Sequence, residues 1–414
     1  MHIMKVLWIS QNVPYPPKSG VLLRNYNLIR LTSQFAAIDL VAIVKKNAMP
    51  SSYAEMAVPE LLKFCSSVQP VRLPTEESRF HFWWVLLKSL FTKAPFTVNW
   101  ASAPVLEEVL GRALSGTIYD LVYFDSISLA GYRQLMTSGA RVLNHHNIES
   151  QLFERRIAYE RNPLKRLYLR LEATKLRRYE AAVVGEFDLN LVVSSLDALR
   201  LGEFCAGATT ALVANGVDID YFRPSDAASA EPGHLIMVSG MNWFPNLDAV
   251  LYMIESIWPI LTSATPGVRL TIVGARPPRH VTELAAKDSR ITVTGFVDDI
   301  RPYMDRAQIY LCPMRDGGGT RLKVLDALSM GKPIVATTMA LEGIGVVPEQ
   351  DVLVGDTPEV FVRQIQRLIQ DQALRQRLST NGRTFVEQRF SWEVIGQQLQ
   401  GAFRDAVAAR HRLG

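Results

Sequence analysis

Gly317, Gly318 and Gly319 stand directly ahead of Thr320, Arg321, Lys323 and Asp326 in the stretch RDGGGTRLKVLDALSMGKPIVAT, residues 315–337. Three glycines in a row leave a backbone without Cβ atoms, whose N–H groups can approach a ligand closely. The Arg and the Lys behind them place positive charge in the first turn of a helix. That position is unfavourable for the helix dipole but favourable for an anion bound at the helix start. The chemistry implied is recognition of an anionic ligand by backbone N–H groups and two cations.

The elements around these residues follow from periodicity. The apolar run AQIYLCPM reads as a strand, and Leu322, Leu325, Leu328 and Ser329 repeat at helical spacing, so the unit is strand, glycine turn and helix N-terminus. Similar short β-rich runs recur: KVLWIS, AIDLVAIV, YDLVYFD, ARVLNHH and FDLNLVVS, then HLIMVSG, VRLTIVG, ITVTGF, QIYLCPM and KPIVAT. Helical stretches lie between them, which is the βαβ signature of parallel sheets. The stretch YFRPSDAASAEPGH, residues 221–234, is poor in large apolar residues and reads as a linker. The expected organisation is an α/β chain of two doubly wound domains: 1–220, the linker 221–234, and 235–389. A C-terminal helix, 390–414, can cross back to the first domain. Ligands in such sheets bind beyond the C-terminal ends of the strands. SQNVPYPPKSG and NHHNIES open at two such ends and the glycine turn at a third.

Bulk properties bound the answer further. At 414 residues the chain exceeds what a single core usually serves. No apolar stretch approaches the roughly 18 residues of a membrane span. The N-terminus lacks the apolar region and cleavage site of a secretory signal, and three widely separated cysteines fit reduced thiols in the cytoplasm. Residues 1–200 hold 24 Lys and Arg against 17 Asp and Glu, more than the whole net charge of +5. A basic half suits a phosphate-bearing partner or an anionic membrane surface. Nucleic acid is disfavoured, since no zinc-finger spacing, arginine-rich tract or aromatic signature is present.

The segment from TGFVDDIRPYMDRAQIYLCPMRDGGGTRLKVLDALSMGKPIVAT through LEGI resembles the nucleotide-sugar domain of glycosyltransferase family 4, retaining enzymes of the GT-B fold. VANGVDIDYFRP at 213–224 is similar to that family's turn into the second domain, and HHNIES with VPYPPKSG to its N-terminal half. The resemblance implies two Rossmann-like domains facing a cleft, and transfer of a sugar from a nucleoside diphosphate donor to a carbohydrate or lipid-linked acceptor. It implies retained anomeric configuration, no required metal or cofactor, and a role in bacterial polysaccharide or glycolipid biosynthesis. Arg321, Lys323 and the backbone of 317–320 would stabilise the departing diphosphate.

Residue roles follow from the same resemblance. Asp326 matches the acidic residue that contacts the donor ribose, while the family's other acidic residue falls on Gly318. Many relatives have an Arg and a Lys after the first strand of the second domain; this chain reads SGMNWFPNLDAV there, with Asn242 and Asn246 as polar contacts and Arg321 and Lys323 in place of the missing pair. His146, rather than His145, aligns with a histidine near the reacting centre, with Asn147 and Glu149 beside it. Lys18, Gly20 and Arg24 are expected at the acceptor, Glu342 at ribose or sugar, and Phe296 and Val297 where the base packs. A nucleotide-sugar epimerase of the same fold and a non-catalytic donor-binding scaffold are the competing readings.

Two amphipathic stretches complete the reading. Phe80, Trp83, Trp84, Leu87, Leu90 and Phe91 follow helical spacing and are expected to form a buried face in preference to a membrane anchor. Arg166, Arg170 and Arg177 share a face opposite Leu164, Tyr168 and Leu171, a solvated face or one suited to peripheral contact with the inner side of an anionic membrane.

Overall fold

The computed structural model describes residues 3–45, 52–160, 162–225, 230–317 and 321–413. Two compact units result, Met1–Ala214 with Ile395–Gly414, and Asn215–Val394.

In the first unit the strands are β1 (Met4–Ser10), β2 (Ala36–Val44), β3 (Ser67–Arg72), β4 (Leu121–Phe124), β5 (Ala140–His145), β6 (Leu189–Val192) and β7 (Thr210–Leu212). They pair in parallel in the order β3-β2-β1-β4-β5-β6-β7. Every residue of β4 and β6 is buried, as strands covered on both faces must be. Trp8 of β1 stacks on Tyr123 of β4 with ring centroids 3.7 Å apart, and Phe403 from the C-terminal helix packs on Tyr123 and Phe35.

The second unit holds β8 (His234–Val238), β9 (Arg269–Val273), β10 (Ile291–Gly295), β11 (Ile309–Cys312), β12 (Ile334–Ala336) and β13 (Leu353–Val354). The order is β10-β9-β8-β11-β12-β13, again parallel. Each sheet therefore reverses its winding beside its first strand, between β1 and β4 and between β8 and β11. That is where doubly wound sheets open a crevice. At Gly274, just past β9, a Cβ would come within 1.8 Å of the Ser239 carbonyl oxygen. Only glycine lets the β8 and β9 ends approach so closely.

The 221–234 stretch lies inside the second unit, whose boundary falls earlier, at Asn215. Side chains of that unit hold it: Ser329 Oγ donates to the Phe222 carbonyl at 2.6 Å, and the Arg301 guanidinium sits 3.7 Å over the Tyr221 ring. Residues 226–229 lie outside the described residues.

The Arg79–Phe91 helix reverses the expected burial. Phe80 is 80% exposed, Trp83 59% and Phe91 84%. The opposite side faces inward instead: Val85 and Ser89 are buried, and Phe82 meets Phe96 edge-on. Ser89 is tolerated there because its hydroxyl donates to the Val85 carbonyl and accepts from Asn99 Nδ2. On the Pro163–Val183 helix, Leu164 and Leu171 are exposed as well, and Arg177 turns to Glu154 at 3.6 Å and over the Phe204 ring.

Candidate active site

In the first unit, the C-terminal ends of β1, β2, β4 and β5 surround a cavity of about 410 Å³. Gln11, Asn12, Lys45, Ser126, His146, Asn147 and Glu149 supply its polar lining; Val13, Val21, Leu22, Val44 and Leu152 supply an apolar wall. His146 Nε2 lies 2.8 Å from Asp125 Oδ1, and Asp125 Oδ2 accepts the Gln11 N–H at 3.1 Å. Burial alone would raise the Asp125 carboxyl, but His146, the Asn25 amide and the Gln11 N–H together hold it below the usual range. An ionised Asp125 accepts from Nε2–H, which leaves Nδ1 of a neutral imidazole as the nitrogen able to accept a proton.

Glu149 begins the Glu149–Tyr159 helix, and its N–H donates to Glu180 Oε1 at 2.9 Å, as does that of Ser150 at 3.3 Å. Burial and then the Glu180 charge push the Glu149 carboxyl up to about 7, against the opposing pull of Lys45. Burial likewise pushes Glu180 up to about 7. Burial also lowers the Lys45 amine, which lies over the Trp100 ring.

His145 is built into the sheet: its Nε2 pairs with Asn190 of β6 at 3.1 Å, and burial lowers its pKa to about 4. Arg24 is likewise drawn inward, contrary to the expectation that it meets acceptor charge. Only 1% exposed, it donates to the Val213 and Ala214 carbonyls, both at 2.8 Å, and to Asn144 Oδ1. Lys18 and Gly20 are exposed.

In the second unit, the loop after β11 runs through Gly317, whose φ of 134° suits glycine alone. A Cβ on Gly317 would lie 3.0 Å from the Arg321 guanidinium, so the bare backbone makes room for that side chain. Gly318, Gly319 and Thr320 lie outside the described residues. Arg321 precedes the Leu322–Ser329 helix and is 5% exposed. Lys323 Nζ donates to Asn246 Oδ1 at 2.5 Å, while Asn246 Nδ2 donates to the Gly240 carbonyl at the β8 end. Burial lowers the Lys323 amine, and burial pushes the Asp326 carboxyl up to about 7. The Asp326 carboxyl has no hydrogen-bonding or ion-pair partner among the described residues.

Residues 232–371, which span these groups, match the glycosyl transferases group 1 family. The chain carries a group 1 glycosyltransferase domain. Around that domain, the full chain is similar to sucrose-phosphate synthase from Thermosynechococcus elongatus, with a TM-score of 0.72 and 17% identity over 98% of this chain and 100% of that one. Anabaena HepE in complex with UDP and glucose gives a TM-score of 0.68 and 14% identity over 97% and 100% of the two chains. A curated relative, an uncharacterized 44.6 kDa protein in the cps region of Klebsiella pneumoniae, is 21% identical over 406 residues, covering 94% of this chain and 97% of its own length. The architecture is thus GT-B, with two Rossmann-like units, as the sequence led us to expect.

Within the group 1 domain, Asn242 is exposed while Asn246 engages Lys323. Phe296 follows β10 and is 70% exposed, with Val297 half-buried beside it. Glu342 ends the Thr338–Leu341 helix beyond β12. In the first unit the sequence reading missed Asp125, Lys45, Gln11 and Asn12. All four directly follow strands whose runs were recognised, so the strand-end rule applied to every strand would have found them.

Proposed function

We propose that the protein is a retaining hexosyltransferase, moving a sugar from a nucleoside diphosphate donor to a carbohydrate or lipid-linked acceptor in bacterial polysaccharide or glycolipid assembly, in the cytoplasm. One observation carries the reading. A half-buried, desolvated ammonium, Lys323, and a half-buried, desolvated carboxyl, Asp326, lie three residues apart on one short helix, and neither has an ion-pair partner among the described residues. Ionisable groups drawn partly out of water without an opposite charge beside them oppose folding, so their presence serves a ligand. A nucleoside diphosphate sugar has both complements, an anionic diphosphate for Lys323 and Arg321 and ribose hydroxyls for Asp326. The solved relative with UDP and glucose and the relative from a cps region support donor class and pathway.

The chemistry follows from what these groups do best. Departure of the diphosphate builds negative charge, and cations fixed in advance stabilise it without reorganising. In the first unit, His146 Nδ1 is the nitrogen available to an acceptor hydroxyl, with Asp125 holding the ring in orientation. Glycine at 318 removes a carboxylate that relatives place near the donor sugar, which leaves sugar selection to other groups. No metal is assigned a step.

A panel of nucleoside diphosphate sugars in a thermal-shift assay tests the donor, since a ligand bound only by the folded state raises its stability. Product analysis by NMR then tests anomeric retention. A donor that shifts Tm and is hydrolysed slowly without acceptor, with hydrolysis lost in Arg321→Ala, supports a transferase. Interconversion of the free donor would identify an epimerase, and binding without turnover a scaffold. Absence of any shift across the panel would overturn the donor assignment.

A further inference from the structure

The Arg79–Phe91 helix leaves Phe80, Trp83, Trp84, Leu87 and Phe91 exposed along one face, at i, i+3, i+4, i+7 and i+11. Contiguous aromatic surface of this kind marks an interaction site. Nothing in the first unit covers it among the described residues, because the helix is anchored through its other side.

The charges on the helix itself are of one sign, although the exposed Glu77 stands just before its start. Arg79, Lys88 and Lys93 are exposed on or beside this helix, which contains no acidic residue. The Lys88 ammonium lies 5.1 Å over the Trp84 ring. The Pro163–Val183 helix anchors the inward side of this helix: Lys175 Nζ donates to the Ser89 carbonyl, and Glu172 Oε2 accepts the Phe96 N–H. Beyond that junction, residues 163–171 hold exposed Leu164, Leu167, Arg166 and Arg170, with no acidic residue. Arg166 and Arg170 belong to no ion pair among the described residues, whereas Lys165 pairs with Glu160 and Arg177 with Glu154.

We propose that this surface docks on an anionic lipid bilayer, with the aromatic face of 80–91 in the headgroup boundary and the Arg and Lys side chains on lipid phosphates. Tryptophan favours that boundary because its ring is apolar and its N–H polar. A basic amphipathic helix lies in the plane of the interface, and anionic lipid adds attraction for each cation. No helix of the described residues is long and apolar enough to cross a membrane, so the attachment is peripheral. A second copy of the chain fits less well. A symmetric dimer through this face would bring together two surfaces with an excess of cations, Arg79, Lys88 and Lys93 against the single exposed carboxylate of Glu77 beside the helix start. Docking goes beyond the transferase reading and stands without it, since none of these side chains lines the cavity or the donor residues.

The test is co-sedimentation with vesicles of phosphatidylcholine alone and of phosphatidylcholine mixed with phosphatidylglycerol, at low and high salt. Wild-type protein is expected to pellet with the anionic vesicles only and to be released as salt rises. Trp83→Ser with Phe91→Ser, and separately Arg166→Gln with Arg170→Gln, should each weaken binding about tenfold or more at wild-type Tm. Donor-induced thermal shift should stay unchanged in both, which separates this proposal from the transferase one. Wild-type protein that stays in the supernatant at low salt, or variants that bind as wild type does, would overturn it. So would a lipid-free dimer that Trp83→Ser with Phe91→Ser converts to monomer.

Discussion

His146 Nε2 is 2.8 Å from Asp125 Oδ1, and that carboxylate, at the end of β4, is fully buried beneath the imidazole at the end of β5. The pair fixes which ring nitrogen faces the cavity. An amide at position 125 can donate to Nε2, which favours the other tautomer and removes the proton-accepting nitrogen. Asp125→Asn is therefore expected to lower kcat about a hundredfold with donor affinity within twofold of wild type. A kcat close to wild type would leave the pair with a structural role only.

Arg321→Ala and Lys323→Ala should each remove about 2–4 kcal/mol of transition-state stabilisation, the range for preorganised groups at a developing anion. Steady-state kinetics check this as kcat/KM. Lys323→Ala also frees Asn246, so Asn246→Ala is the control: it should cost less than the lysine. Values within twofold of wild type for both cations would remove them from the donor site.

Asp326 is expected to make donor binding pH-dependent. Its folded pKa of about 7 means that the carboxyl is protonated below neutrality and loses acceptor capacity for ribose hydroxyls. Donor KM should rise as pH falls from about 8 to about 6, and Asp326→Asn should flatten the profile. Stability runs the other way. An Asp with a raised folded pKa binds its proton more tightly folded than unfolded, so its contribution to stability is lost as pH rises from the ordinary Asp range through 7. Asp326→Asn should accordingly raise Tm more at about pH 8 than at about pH 5. An identical Tm difference at both would show that the group is not desolvated.

The two histidines should separate cleanly. His145→Ala leaves a cavity and an unpaired Asn190 Oδ1, at a cost of roughly 2–4 kcal/mol of stability. His146→Ala should lower kcat far more than it lowers Tm or donor affinity. His145 titrates near 4 folded against an ordinary value near 6.5. The unfolded chain therefore binds the proton first, and stability falls as pH drops from 6.5 towards 4. That slope should be shallower in His145→Ala when denaturation is followed against pH.

Arg24→Met tests a residue whose place was misread. Loss of its guanidinium strands the Val213 and Ala214 carbonyls, so unfolding free energy should drop by about 2–4 kcal/mol, while acceptor KM stays as in wild type. A raised acceptor KM at unchanged stability would restore it to the acceptor site.

Local pattern was enough for the central strands and for the helix that starts at Leu322. The ten β-rich runs all form strands: nine are central, and a central parallel strand must be apolar on both faces, while β10 lies at an edge and shows itself by its β-branched residues, Ile291, Thr292, Val293 and Thr294. β3, β7 and β13 went unread because they lie at sheet edges: β3 is largely exposed and contains Pro70, β7 is mostly exposed, and β13 has two residues. Arg321, Lys323 and Asp326 could be proposed together because they stand at and within the start of one helix, contiguous in the chain. Asp125 and His146 were not legible as a pair, because parallel pairing of β4 with β5 sets their separation and neither residue's neighbours encode it. The same holds for Arg24, which sits at helical spacing in a polar segment, yet its direction was decided by carbonyls some 190 residues away. The 80–91 helix shows the limit most plainly. Periodicity places six large apolar side chains on one face, but both Phe80–Phe91 and Phe82–Ser89 are faces at helical spacing. Which of them faces the core depends on what stands opposite, Phe96 and Asn99 in this fold, and that is a property of the folded chain alone.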